Sequence, residues 1–210
     1  MALRLNGSSS GYVELDVPAA AGSHTLTLPN SGGSSGQYLQ TNGSGGLSWQ
    51  TVTPALFESY AIIADRKTNG TSGGGITANT VTTRTLNTEL YDPDGIVSIS
   101  SNQFTLGAGN YYIHFSTPAY RVQEFTAYCY DVTNSTTAFA GQAAYSYSGD
   151  GDISHCQGYG RVAITANTVY EIRIIVDTAN SSPEALGRAS TASNYTGNEI
   201  YTVVEIFKEA

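Results

Sequence analysis

Ten segments of the chain, each four to eleven residues long, run apolar or alternate apolar with polar. Clusters of Gly, Pro, Asn, Asp and Ser separate them, and no apolar stripe recurs at helical spacing. They are Tyr60–Ala64, Val81–Leu86, Ile96–Ile99, Gln103–Leu106, Tyr111–Thr117, Glu124–Val132, Thr137–Tyr147, Gly158–Ile164, Val169–Val176 and Glu199–Phe207. Strands cannot satisfy their own backbone groups, so this many of them must pair into sheets. A half-apolar sheet must then cover one face with another sheet. The pattern predicts an all-β, two-sheet sandwich of ten strands, with a spacing that suits a jelly roll. Turn chemistry falls between the strands at Asp92-Pro93-Asp94-Gly95, Gly107-Ala108-Gly109, Asp131–Ser135, Gly149-Asp150-Gly151-Asp152 and Ser181-Ser182-Pro183.

The first 56 residues differ in kind. They hold 9 Gly and 9 Ser, whereas the other 14 glycines are spread over residues 57–210. A boundary near Thr53–Phe57 follows, giving a Gly/Ser-rich β module (1–56) and a sandwich domain (57–210). Tyr12–Val17 alternates strictly and predicts a half-buried strand with Val13, Leu15 and Val17 on one face. His24–Leu28 alternates as well, and Asn42-Gly43 supplies a turn between the short runs Gln37–Gln40 and Leu47–Gln50. Such short strands bury little in a lone chain, and several copies around an axis could close what one cannot. A flexible Gly/Ser linker is the plainer alternative. It gives no reason for Val13, Leu15, Val17, Leu26, Leu28, Leu39, Leu47 and Trp49.

Charge narrows the possible partners. With 9 Lys and Arg against 17 Asp and Glu, the net charge is −8 and no basic run exists, which argues against nucleic acid. No segment approaches the ~20 apolar residues of a membrane-spanning helix, and the N-terminus lacks a secretory leader pattern. Thirteen of the 15 tyrosines fall in the sandwich domain. Most are expected in an ordinary core, the remainder in subunit contacts, where Tyr is enriched. On Glu124–Val132 neither face is plainly polar, so both are expected to be covered.

Bond-making chemistry finds little support. His24, His114 and His155 lie in separate segments, with no nucleophile oriented toward them, and no cofactor motif is present, so no enzyme activity is expected. Gly73-Gly74-Gly75 lacks the Lys-Ser/Thr ending of a phosphate loop. Cys129 and Cys156 fit no metal-ligand spacing, and whether they pair is open. Two acidic turns, Asp92 with Asp94 and Asp150 with Asp152, offer only part of a calcium shell, so solvated turns are the expectation; Asp150 and Asp152 are the better cation candidates because Gly149 and Gly151 flank them. Between Ala144 and Gly158, Tyr145, Tyr147, Asp150, Asp152, His155 and Gln157 combine aromatic faces with carboxylates and amides, a set suited to a sugar or equally to a subunit contact.

Two stretches resemble known families. Arg4–Leu15, His24–Pro29 and above all Gly36–Trp49, where a strand, an Asn-Gly turn and a Trp-bearing strand follow in order, resemble modules of virion fibre and appendage proteins of tailed bacteriophages, notably those of marine cyanobacteria. Residues 57–210 are similar to the C1q and tumour-necrosis-factor-like jelly roll. The likeness lies in Arg84–Thr88, Asp94–Ile99, Phe104–Ile113, Pro118–Tyr120, Asn167–Tyr170 and the closing Val203–Lys208. These resemblances imply a compact homotrimer with its terminal strands near the threefold axis, carried on a virion assembled in the bacterial cytoplasm. A collagen stalk is missing, so immune-ligand roles are not implied. The expected function is a short trimeric fibre whose residues 1–56 join other virion proteins and whose jelly-roll head binds a host surface glycan. The rival is a capsid decoration protein, favoured by the single stalk module. A polysaccharide-cleaving spike would need a carboxylate pair in a cleft and a longer chain.

Overall fold

The computed structural model describes residues 3–16, 18–20, 22–52, 56–149 and 151–210. Its contacts divide the chain into two compact units, Met1–Pro54 and Ala55–Ala210. No helix occurs among the described residues.

The N-terminal unit holds two separate ribbons. Strands β1 (Leu3–Asn6) and β2 (Tyr12–Leu15) pair antiparallel, as do β3 (Gln37–Thr41) and β4 (Leu47–Thr51). The second ribbon turns where Asn42-Gly43 predicts. Asn42 Oδ1 accepts from the Ser44 and Gly46 amides at 2.8 and 2.9 Å, and Gly43 and Gly45 take the positive φ the turn needs. Trp49 pairs with Leu39 across it and donates its indole N–H to the Ser31 carbonyl at 2.7 Å. The expected strand over His24–Leu28 is reduced to one bridge between Thr27 and Gly46. The half-buried strand expected over Tyr12–Val17 is corrected too: β2 ends at Leu15, and all four of its residues are exposed, with no described residue of the unit covering them. Val17 lies outside the described residues.

The C-terminal unit is an antiparallel sandwich in jelly-roll order. One sheet runs β14 (Ile153–Ile164), β10 (Gly109–Tyr120), β16 (Glu199–Glu209), β5 (Phe57–Lys67), β7 (Thr88–Tyr91). The other runs β12 (Thr136–Ala140), β11 (Gln123–Asp131), β15 (Thr168–Val176), β9 (Gln103–Leu106), β8 (Val97–Ser100), with β13 (Ala144–Ser146) on β11 and β6 (Thr82–Thr83) on β15. Period-two alternation places Ile113, Phe115, Val204, Ile206 and Ile63 of the first sheet against Phe104, Leu106, Ala127, Ile172 and Ile174 of the second, all fully buried. Each large apolar side chain so buried contributes about 1.5–3 kcal/mol. On β11 the expectation that both faces are covered fails in part: Phe125, Ala127, Cys129 and Asp131 are buried, whereas Thr126, Tyr128 and Tyr130 are half-buried. The Arg173 guanidinium lies 3.4 Å over the Tyr130 ring there.

Other departures have local causes. Thr137–Tyr147 is two strands, because the chain leaves β12 at Gly141, whose position is crowded by Ala127 O, Cys156 Sγ and the Phe115 ring. Thr88–Tyr91 escapes the sequence pattern since only its backbone, paired to Ile62–Ala64, makes it a strand; its residues are mostly exposed. The strand expected over Val81–Leu86 shrinks to two residues, because Arg84 turns fully into the sandwich. There its Nε donates to Thr202 Oγ1 at 2.8 Å and Nη2 to the Leu186 carbonyl at 2.7 Å. Burial lowers the Arg84 pKa to about 10 against the raising field of Asp65, and the group stays charged at neutral pH. Cys129 and Cys156 are both buried and free, and burial pushes both thiols up.

Candidate functional site

The outer face of the five-stranded sheet carries a continuous row of rings. Alternation turns Tyr112, Phe207 and Tyr60 away from the core neighbours Ile113, Ile206 and Ala61, and register sets them side by side, Tyr112 opposite Phe207 and Phe207 opposite Tyr60. Ring centroids lie 6.3 Å apart for Tyr112–Phe207, 6.0 Å for Phe207–Tyr60 and 4.7 Å for Tyr60–Tyr91, with Phe57 at 5.1 Å from Phe207. Tyr60, Tyr91 and Tyr112 are 42, 43 and 37% exposed. A hydrogen bond with Tyr60 raises the Tyr91 phenol above its ordinary value.

One register step along, the row becomes polar. His114 Nδ1 lies 2.6 Å from Glu205 Oε2, and the imidazole stacks on Tyr159 with centroids 4.8 Å apart and planes 5° from parallel. Its Nε2 is buried without a hydrogen bond among the described residues. At the sheet margin Arg161 clasps Glu209 through two bonds of 2.7 Å. Arg161 and Glu209 thus match their charges within the chain, and the half-exposed rings are the larger uncovered feature of this face.

Of the 13 tyrosines in residues 57–210, only Tyr111, Tyr120, Tyr170 and Tyr201 are buried, so the core takes far fewer than expected. The excess outside is the signal that sequence alone blurs. Tyr112, Tyr159, Phe207, Tyr60 and Tyr91 come from five separate strands, and only their cross-strand register makes them one surface.

The structure divides the sugar-suited set between the two sheets. Tyr145 belongs to β13 beside β11, and its hydroxyl donates to Gln123 Oε1 at 2.5 Å; Gln123 in turn bonds Ser148. Tyr147 follows β13, its ring against Gly149, and is 46% exposed. His155 and Gln157 lie instead on β14, opposite Pro118 and Ser116, on the face that continues toward Tyr159. Gln157 Oε1 accepts from the Tyr159 hydroxyl at 2.8 Å, and partial burial lowers the His155 pKa. Most of the segment Ala144–Gly158 thus lies on β13 and the first half of β14. Asp150 lies outside the described residues, and Asp152 is exposed, its backbone carbonyl accepting from Ser146 Oγ at 2.7 Å.

The other acidic turn is occupied by its own chain. The Asp92 carboxylate accepts from the Ile96 and Val97 amides at 2.9 and 3.1 Å, and Asp94 accepts from Ser59 Oγ. No group of three or more metal-ligating side chains occurs among the described residues. A groove of about 460 Å³ between the β11–β12 and β14–β15 turns, lined by Asp131, Asn134, Thr137, Asn167 and Tyr170 among others, was not signalled by any motif. Its carboxylate, on Asp131, is already engaged by the Asn134 backbone and side-chain amides at 2.9 and 2.8 Å.

At the other end of β11 from that groove, the connection from β10 is strained. Arg121 and Gln123 take φ of 57° and 62° on either side of the buried Val122. They are held there by the bond from the Arg121 amide to Ser146 Oγ at 2.7 Å and from the Thr178 amide to the Val122 carbonyl at 3.0 Å.

No protein-family model and no curated protein matches the chain. Among solved structures, it is similar to murine APRIL at pH 8.0, with a TM-score of 0.45 and 11% identity over 71% of this chain and 98% of that one. It is also similar to the globular domain of the zebrafish complement 1qA protein, with a TM-score of 0.46 and 11% identity over 72% of this chain and 97% of that one.

Proposed function

We propose that this chain is a non-enzymatic binding protein that works as a homotrimer in a short appendage of a tailed-phage particle, its sandwiches packed through the ring-bearing outer face of the five-stranded sheet. The row Tyr112, Phe207, Tyr60 and Tyr91 carries this reading. Half-exposed rings in continuous contact form a larger semi-apolar surface than a monomer keeps wet, and rigid aromatics give contact area at little entropic cost. The Arg161–Glu209 pair beside them can enter the interface without stranding its charges.

Residues 1–56 are the attachment module in this reading, supported by the fibre-like phrase from Gly36 to Trp49. The host-facing end carries Tyr145 and Tyr147, with Asp152 in the turn beyond them, groups that would stack on and hydrogen-bond a surface glycan. Three weak sites on one trimer act together, because the second binds at an effective concentration set by the first. The unpaired outer edges of β1 and β2 favour a second reading, in which the trimer decorates a capsid and its ribbons add to a neighbour's sheet. Particles assembled without this chain separate the two. Lost adsorption with intact heads supports the appendage; leaking or pressure-sensitive heads support decoration; particles unchanged in both respects contradict both.

A further inference from the structure

The ribbon β1–β2 is two-faced. Leu3 pairs with Leu15 and Leu5 with Val13 on one side, while Arg4 pairs with Glu14 and Asn6 with Tyr12 on the other. On the polar side Arg4 Nη2 lies 2.7 Å from Glu14 Oε2, and the guanidinium covers the Tyr12 ring at 4.0 Å. On the apolar side Leu3, Leu5, Val13 and Leu15 are 59, 57, 65 and 63% exposed.

We infer that this apolar face is covered by the same face of two further copies of the chain, three ribbons closing around a common axis. A two-stranded ribbon is marginal in water by itself, so its ordered register calls for a cover. The threefold assembly proposed for the sandwich sets the number of copies. At those exposures each ribbon leaves roughly 400 Å² of apolar side chain wet, so a pair of ribbons buries at most about 800 Å², the size of a packing contact, which suffices only for ribbons already tethered through their sandwiches. Charge selects the partner. The ribbon's cation and anion neutralise one another on the far side, and the apolar face has no polar side chain with which to specify a foreign protein. The inference rests on the threefold assembly proposed for the sandwich, which would hold three ribbons at about millimolar effective concentration.

The test uses the full-length chain, whose two native thiols are buried. Leu5→Cys and Val13→Cys put a thiol on the apolar face, Asn6→Cys puts one on the polar face, and all three sites lie in the exposed ribbon. After mild oxidation the first two should give at least fivefold more disulfide-linked dimer than Asn6→Cys on a non-reducing gel, two of the three chains pairing. Sedimentation equilibrium of the same samples before oxidation reads the sandwich assembly separately. A trimer mass with equal or negligible cross-linking at all three sites overturns the ribbon inference and leaves the sandwich trimer standing. A single-chain mass overturns both.

Discussion

Gly158 of β14 lies so close to the Phe115 ring that a β-carbon there would fall 2.2 Å from it, although the glycine's backbone is in ordinary strand conformation. Only space, and not conformation, demands glycine here. Gly160 stands in the same relation to Phe139, at 2.2 Å, and the two rings stack at 5.9 Å between the sheets. Gly158→Ala is expected to destabilise the sandwich by roughly 1–3 kcal/mol, as overpacking does, whereas Gly32→Ala, which meets nothing within 4 Å, stays within about 0.5 kcal/mol. Thermal unfolding of both variants checks this, and equal melting temperatures would contradict it.

Arg84 ties the two sheets together from inside, through Thr202 Oγ1 and the Leu186 carbonyl. Arg84→Met strands the Leu186 carbonyl and takes a donor from Thr202 Oγ1, while the buried Asp65 keeps its ion pair with Lys67 at 3.1 Å, and is expected to cost about 1–3 kcal/mol in urea unfolding. A loss under 1 kcal/mol would mean that the guanidinium is not integral to the packing.

Burial raises the Cys129 and Cys156 thiols, which disfavours the nucleophilic thiolate as well as hiding it. Neither should react with an aromatic disulfide reagent at pH 8 in the native protein, and both should react in denaturant. Rapid labelling of the folded chain would contradict their placement.

Acid should weaken the fold partly through Glu171. Burial pushes its carboxyl up, but hydrogen bonds from Gln103 and Arg173 outweigh that and hold it below the ordinary value. A depressed carboxyl contributes stability that is present above the unfolded value of about 4.3 and is lost as pH falls through the folded one. The melting-temperature gap between the native chain and Glu171→Gln should therefore be widest near pH 7 and close below about pH 4. A gap independent of pH would contradict the role.

The sandwich was legible because alternation and turn residues act locally: Gln103–Leu106 begins and ends where the sequence places it, bounded by Asn102 and Gly107. What escaped depended on distant partners. Thr88–Tyr91 is a strand because β5 offers it an edge, and Gly141 breaks a long alternating run because Cys156 and Phe115 arrive there from other strands. The face that carries the functional reading was hidden for the same reason. Tyr60, Tyr112 and Phe207 are far apart in sequence, and nothing in their own segments distinguishes an outward ring from a core ring. The sugar-suited run from Tyr145 to Gln157 shows the converse, since closeness in sequence did not keep its residues on one sheet.

Threefold packing of the ring-bearing face is tested most directly by sedimentation equilibrium of the full-length chain beside Tyr112→Glu, a change that sets an unpaired charge among the rings. The native chain should give three times its 22.1 kDa mass across micromolar loadings, and the variant should fall to one chain while keeping its sandwich spectrum. A native chain that sediments at 22.1 kDa throughout would contradict the account.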